Sequence, residues 1–137
     1  MNVKKFIMAL VAGFIVMMGV AYVFHVVLMK DSYDMWLKEV SRPEGRFQFI
    51  LYSYLCLAAL MAYIYPMGYK GGSPFGEGLK FGILMGLVCR LPLALVMSAT
   101  TNVVWQWVAV EAAWHCLEQG IGGIVIAYMY GSPKAAS

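Results

Sequence analysis

Charged residues are what this sequence has least of. Only 12% of its 137 residues are charged, whereas 62% are hydrophobic; soluble domains have about 25% and roughly 45–50%. A small soluble domain could not bury so much apolar surface, so the composition predicts a single-domain membrane protein with lipid as its solvent. The net charge of +3 comes without a basic run, which argues against a nucleic-acid partner.

Cysteine pairs and the common enzyme signatures are also missing. Cys56, Cys89 and Cys116 fall in three different apolar stretches without a CxxC pair. We interpret them as small apolar side chains and expect no disulfide framework. The sequence contains no nucleophile elbow, phosphate-binding loop, dinucleotide fingerprint or zinc-protease motif. We therefore expect no catalytic residues, and we favour a protein that is not an enzyme.

Four long apolar segments dominate what is present. They predict helices at about 6–29, 47–65, 76–98 and 103–130, and about 20 residues are enough to span a bilayer core. The first segment is longer than the apolar core of a signal peptide, about 7–15 residues, so we interpret it as a retained helix. Short connections predict an all-α, antiparallel four-helix membrane bundle formed by one domain, 1–137.

The connection between the first two segments has a pattern of its own. Tyr33, Trp36, Leu37 and Val40 follow each other at i, i+3, i+4 and i+7. This spacing predicts a short amphipathic helix lying in the membrane interface.

Loop charges predict the orientation. The side with both termini has five basic residues and the other side has four; these are Lys4, Lys5, Lys70, Lys80 and Lys134 against Lys30, Lys38, Arg42 and Arg46. The excess favours cytoplasmic termini.

Small residues recur every four positions on two of the predicted helices. Gly82 and Gly86 form such a row on the third, and Ala112, Cys116 and Gly120 form one on the fourth. Rows of small residues let membrane helices approach closely. We expect these faces to pack against other helices, within the chain or in an oligomer.

Five ionisable residues interrupt the apolar segments: His25, Arg90, Glu111, His115 and Glu118. A charge at the bilayer centre costs about 2.5–3.5 kcal/mol on insertion scales, so these side chains should face protein. The last three lie at i, i+4 and i+7, which places them on one helix face. Counting about 1.5 Å per residue from the opposite membrane surface brings Arg90 to the depth of His115.

Three interpretations of this cluster remain open. Arg90 could neutralise a glutamate in a purely structural polar network. His25, Glu111, His115 and Glu118 could ligate a metal or haem, although the paired Glu-x-x-His motifs of di-iron bundles are absent. The same residues could also form a proton or ion path, which would need oligomerisation to enclose a pore.

One stretch carries a resemblance. Residues 68–73 (GYKGGS) and 77–82 (EGLKFG), with Trp114-His115 in the last helix, resemble small four-helix bacterial membrane proteins of unknown function. The resemblance implies the bacterial inner membrane and brings no activity with it.

We therefore favour a non-catalytic membrane protein without a cofactor. It would act as a homo-oligomer or as an accessory subunit of a larger membrane complex, with the bilayer and other membrane subunits as partners. A small transporter or an intramembrane metal- or haem-binding protein is the alternative.

Overall fold

The described part of the chain is entirely helical in its regular structure. In the computed structural model the described residues are 2–42 and 44–131. They form α1 (Val3–Tyr22), α2 (Lys30–Trp36), α3 (Phe47–Gly68), α4 (Pro74–Thr100) and α5 (Trp105–Tyr130), and a six-residue π-helix, Val23–Leu28, continues α1. The prediction of an all-α protein is confirmed.

Three segments are long and apolar enough to cross a membrane. They are Val3–Leu28, Phe47–Gly68 and Pro74–Thr100, and they support a multi-pass membrane protein. α5 has 26 residues, but polar side chains interrupt its apolar sequence. Three of these are almost fully buried inside the protein: Glu111 is 1% exposed, Glu118 0% and Gln119 1%.

α5 is the central helix of the bundle. It packs along the whole of α4 and also against α1 and α3, and it has more buried residues than any other helix. The α4–α5 contact is close because three glycines of α4, Gly78, Gly82 and Gly86, face it. A β-carbon at Gly82 would collide with the carbonyl oxygen of Gln119, and one at Gly86 with that of His115. Of the other small residues on α5, Ala112 and Cys116 are half-buried and Gly120 is buried.

The helix ends differ from the predicted limits by a few residues. α4 begins earlier than predicted because Ser73 accepts a hydrogen bond from the backbone N–H of Gly76 at 3.2 Å. Pro74 then occupies the first turn, where no backbone donor is needed. α3 continues to Gly68 instead of ending at 65, and α2 occupies the connection for which an amphipathic helix was predicted.

The core divides into two parts along the bundle. At the end that holds both termini, apolar residues of α1, α3 and α5 form a continuous cluster, including Ala9, Met17, Ala58, Met61 and Ile126. At the end that holds α2, the centre of the bundle is polar, and the ionisable residues are there.

Candidate functional site

An ion pair between α4 and α5 is the centre of the polar region. Arg90 Nη2 contacts Glu111 Oε2, and Glu111 is 1% exposed whereas Arg90 is 22% exposed. The Arg90 guanidinium also lies over the ring of Trp107, with Cζ 5.1 Å from the ring centroid, at a distance typical of a cation–π interaction. The buried Glu111 carboxylate is thus neutralised by a cation that still reaches the protein surface.

Tyr33 ties the short helix α2 to the same carboxylate. Its hydroxyl donates a hydrogen bond to Glu111 Oε1, so both oxygens of Glu111 are contacted. Burial, together with the hydrogen bond to Glu111, raises the pKa of Tyr33 well above its ordinary value of 10.0. The hydroxyl therefore stays protonated and remains a donor at physiological pH.

His115 lies between the two glutamates of α5. Its Nδ1 is 2.9 Å from the backbone oxygen of Glu111 and 3.7 Å from Glu111 Oε2, and its Nε2 is 3.9 Å from Glu118 Oε2. Glu118 is fully buried, and neither of its oxygens has a hydrogen-bond partner among the described residues. Tyr54 of α3 lies near this carboxyl group.

His25 approaches the cluster from the π-helix that follows α1. Its ring lies edge-on to Tyr33, with centroids 4.9 Å apart, and 6.0 Å from Trp114. The neighbouring Phe24 stacks on Trp114 at 3.7 Å with an interplanar angle of 3°. Short π-helical segments often occur at functional sites, and this one brings an imidazole into an aromatic enclosure.

An open groove gives access to these residues. Its volume is about 410 Å³. Its wall is formed by residues of the π-helix, the α2 segment, α3, α4 and α5: His25, Tyr33, Leu37, Phe49, Ile50, Ser53, Tyr54, Arg90, Trp107, Glu111 and His115. Two buried donors in this wall, Arg90 Nε and Trp107 Nε1, have no hydrogen-bond partner in the described part of the chain. Buried donors in native proteins almost always have a partner; a third such donor, Trp114 Nε1, lies outside the groove wall.

A second, apolar cavity adjoins the groove. It has a volume of about 320 Å³, and its wall shares His25, Ile50 and Tyr54 with the groove. The rest of its wall comes from the last turns of α1 and the first turn of α3: Met18, Ala21, Tyr22, Val26 and Phe47.

The polar region does not continue to the other end of the bundle. Beyond Gln119, the buried residues of α5 are Gly120, Gly122, Gly123, Ile126 and Ala127. The last two belong to the apolar cluster with α1 and α3. Among the described residues the polar cluster is therefore open on the α2 side and closed by apolar packing on the other.

The candidate metal ligands are not arranged as a ligand set. Over residues 2–42 and 44–131, no group of three or more His, Cys, Asp or Glu side chains is placed to hold a metal ion. Glu111 is instead engaged by Arg90 and Tyr33. The geometry gives the metal hypothesis no support.

The structure brings all five predicted site residues into one polar region and adds three that the sequence patterns did not place there. Tyr33, Tyr54 and Trp107 come from α2, α3 and the start of α5. Tyr33 could have been found from depth alone, because α2 must lie near the membrane surface from which α5 begins. Comparisons with protein-family models, with curated proteins and with solved structures gave no match for this chain.

Proposed function

We propose that α5 is a fourth membrane span, enclosed by the other three. Its 26 residues correspond to a length of ~39 Å, enough to cross a bilayer core of about 30 Å. Glu111, Glu118 and Gln119 face protein, so α5 exposes few polar atoms to lipid. The loop charges favour cytoplasmic termini in a bacterial inner membrane; Lys134, one of the residues counted for this, lies outside the described residues.

We propose that the protein is a non-catalytic membrane binding protein, and that its ligand occupies the polar groove. The observation that carries this proposal is the pair of unpartnered donors in the groove wall, Arg90 Nε and Trp107 Nε1. A purely structural network would be expected to satisfy its own buried donors. A ligand that supplies an acceptor oxygen would provide a partner for these two donors.

The other hypotheses have weaker support. The glycine rows that suggested self-association are used inside the chain, because Gly82 and Gly86 contact the backbone of α5. A homo-oligomer or an accessory subunit therefore remains a prediction without a specific surface. A proton or ion path would need polar groups along the whole bundle, whereas the buried residues of α5 beyond Gln119 are all apolar.

Analysis of co-purified small molecules tests the proposal. Ser53 is exposed in the groove, so Ser53→Trp should fill it without replacing either residue of the ion pair. Leu60 is 55% exposed on the same helix and outside the groove, so Leu60→Trp is the matched control. Each protein would be purified in a mild detergent and extracted with solvent, and the extract analysed by liquid chromatography and mass spectrometry.

We expect one amphiphile near equimolar amounts in the wild type and in Leu60→Trp, and its loss in Ser53→Trp. Extracts that match bulk membrane lipid in all three proteins would contradict the proposal. A second protein that co-purifies with the wild type but not with Ser53→Trp would also contradict the proposal, because the groove would then be a subunit interface.

A further inference from the structure

We infer that the ligand of the groove is a neutral amphiphile with a flat, carbonyl-bearing head and an apolar tail, the chemistry of a membrane quinone. This inference rests on the proposed function and names the class of ligand. It combines four features: the charge of the groove, the unpartnered donors in its wall, the shape of that wall, and the apolar cavity beside it.

The charges in the groove favour a neutral head. Arg90 is already paired with Glu111, so its charge is not available to an anion. An anionic head would also approach the carboxylate of Glu111, which lies in the groove wall. A cationic head would meet the Arg90 guanidinium. A neutral head avoids both repulsions.

The hydrogen-bonding groups favour an acceptor. Two of the unsatisfied buried atoms in the wall, Arg90 Nε–H and Trp107 Nε1–H, are donors, and neither can accept. The third, Glu111 Oε2, is the atom that already faces Arg90 Nη2 in the ion pair. Trp107 is 2% exposed, so bulk water does not reach this donor. Carbonyl oxygens on an otherwise apolar head would match these donors without adding a charge.

The wall favours a flat head. Rings of His25, Tyr33, Tyr54 and Trp107 line the groove, and aromatic rings pack well against other planar rings in stacked or edge-on geometry. A volume of about 410 Å³ lies in the range of pockets that hold small organic molecules, about 300–1,000 Å³. A single substituted ring fits these dimensions.

The adjoining cavity provides the place for a tail. It begins at His25, Ile50 and Tyr54, where it meets the groove, and follows α1 back to Met18. Seven residues separate His25 from Met18, which is about 10 Å along the helix toward the middle of the span. A tail in this cavity would therefore leave the head near the α2 end and run toward the bilayer centre.

Ligand-induced thermal stabilisation of the full-length protein in phosphatidylcholine nanodiscs tests the inference, because a ligand that binds the folded state raises the unfolding temperature. The probe is decylubiquinone. Ubiquinone-0 has the same head without the tail, and decanoic acid has a tail of the same length with an anionic head. Four proteins would be compared: the wild type, Trp107→Phe, Ser53→Trp and the control Leu60→Trp.

Decylubiquinone should stabilise the wild type and Leu60→Trp, and it should have no effect on Ser53→Trp. Trp107→Phe keeps a ring but loses the indole donor, so we expect binding about tenfold weaker. Ubiquinone-0 should bind more weakly than decylubiquinone, and decanoic acid should not stabilise any of the proteins. Equal stabilisation by decanoic acid, or equal stabilisation of Ser53→Trp by the quinone, would overturn the inference.

The two proposals fail in distinguishable ways. If solvent extraction recovers an amphiphile that Ser53→Trp lacks, and it is not a quinone, the ligand class is wrong while the binding function stands. If no amphiphile is recovered and decylubiquinone has no effect on the wild type, both proposals are wrong.

Discussion

Replacing Glu111 by glutamine would remove the charge that Arg90 faces while leaving the shape of the side chain almost unchanged. Breaking a buried ion pair by removing one partner costs about 3–5 kcal/mol, because the other charge is left uncompensated. Arg90 is 22% exposed and can be partly hydrated after the change. We therefore expect Glu111→Gln to lower the free energy of unfolding by about 2–3 kcal/mol.

A double-mutant cycle separates the ion pair from side effects of the substitution. Arg90→Met removes the other charge, and the double variant Arg90→Met/Glu111→Gln contains neither. Because a buried ion pair can be replaced by neutral groups at little cost, the double variant should be more stable than the sum of the single changes predicts, by about 2 kcal/mol. The matched control is Lys30–Asp34, an exposed pair on α2 with Nζ and Oδ2 2.7 Å apart, which should show no measurable coupling.

The assay is reversible unfolding in mixed micelles, followed by far-ultraviolet circular dichroism. A coupling for Arg90–Glu111 no larger than that of Lys30–Asp34 would refute the reasoning, since the pair would then behave as if it were fully hydrated.

Three further predictions concern packing and the α2 attachment. Gly82→Ala should lower the free energy of unfolding by about 1–3 kcal/mol because the α4 and α5 backbones must separate. The control Gly19→Ala has nothing within 4 Å of the added carbon and should be neutral or slightly stabilising. The same unfolding assay measures both variants. Tyr33→Phe removes the hydrogen bond from α2 to Glu111. It should therefore accelerate hydrogen–deuterium exchange over Lys30–Trp36 and lower the free energy of unfolding by about 0.5–1.5 kcal/mol. Unchanged exchange would show that α2 is held by packing alone. Because the pKa of Tyr33 is raised in the folded protein, its stabilising contribution is present below pH ~10 and is lost as the pH rises further. The wild type should therefore lose stability more steeply than Tyr33→Phe between pH 9 and 11. Parallel stability curves for the two proteins would contradict this prediction.

The periodicity of the sequence predicts more of the fold than of the site. Long apolar segments predict helices because every backbone polar group in lipid must be satisfied locally. The i, i+4, i+7 spacing of Glu111, His115 and Glu118 places them together for the same geometric reason, and depth along the helices brings Arg90 near them. These inferences need only the rise and twist of a single helix.

The groove could not be predicted in this way because it depends on contacts between helices. Tyr33 reaches Glu111 only because α2 folds back over the start of α5. The π-helix at Val23–Leu28 continues the apolar sequence of α1 except at His25, and this one polar residue does not predict a change of helix type. The adjoining cavity opens because the first turn of α3, near Phe47, stands apart from the end of α1, which is a property of tertiary packing.

Thiol accessibility at Ser53 tests the central claim, a polar groove that is open on one side of the membrane only. In a background with Cys56, Cys89 and Cys116 replaced, Ser53→Cys would be compared with Ala58→Cys, a position on the same helix that is 0% exposed. A membrane-impermeant maleimide should modify Ser53→Cys when added from the α2 side, and should modify neither variant from the side of the termini. Absence of modification at Ser53→Cys, or equal modification from both sides, would contradict the account.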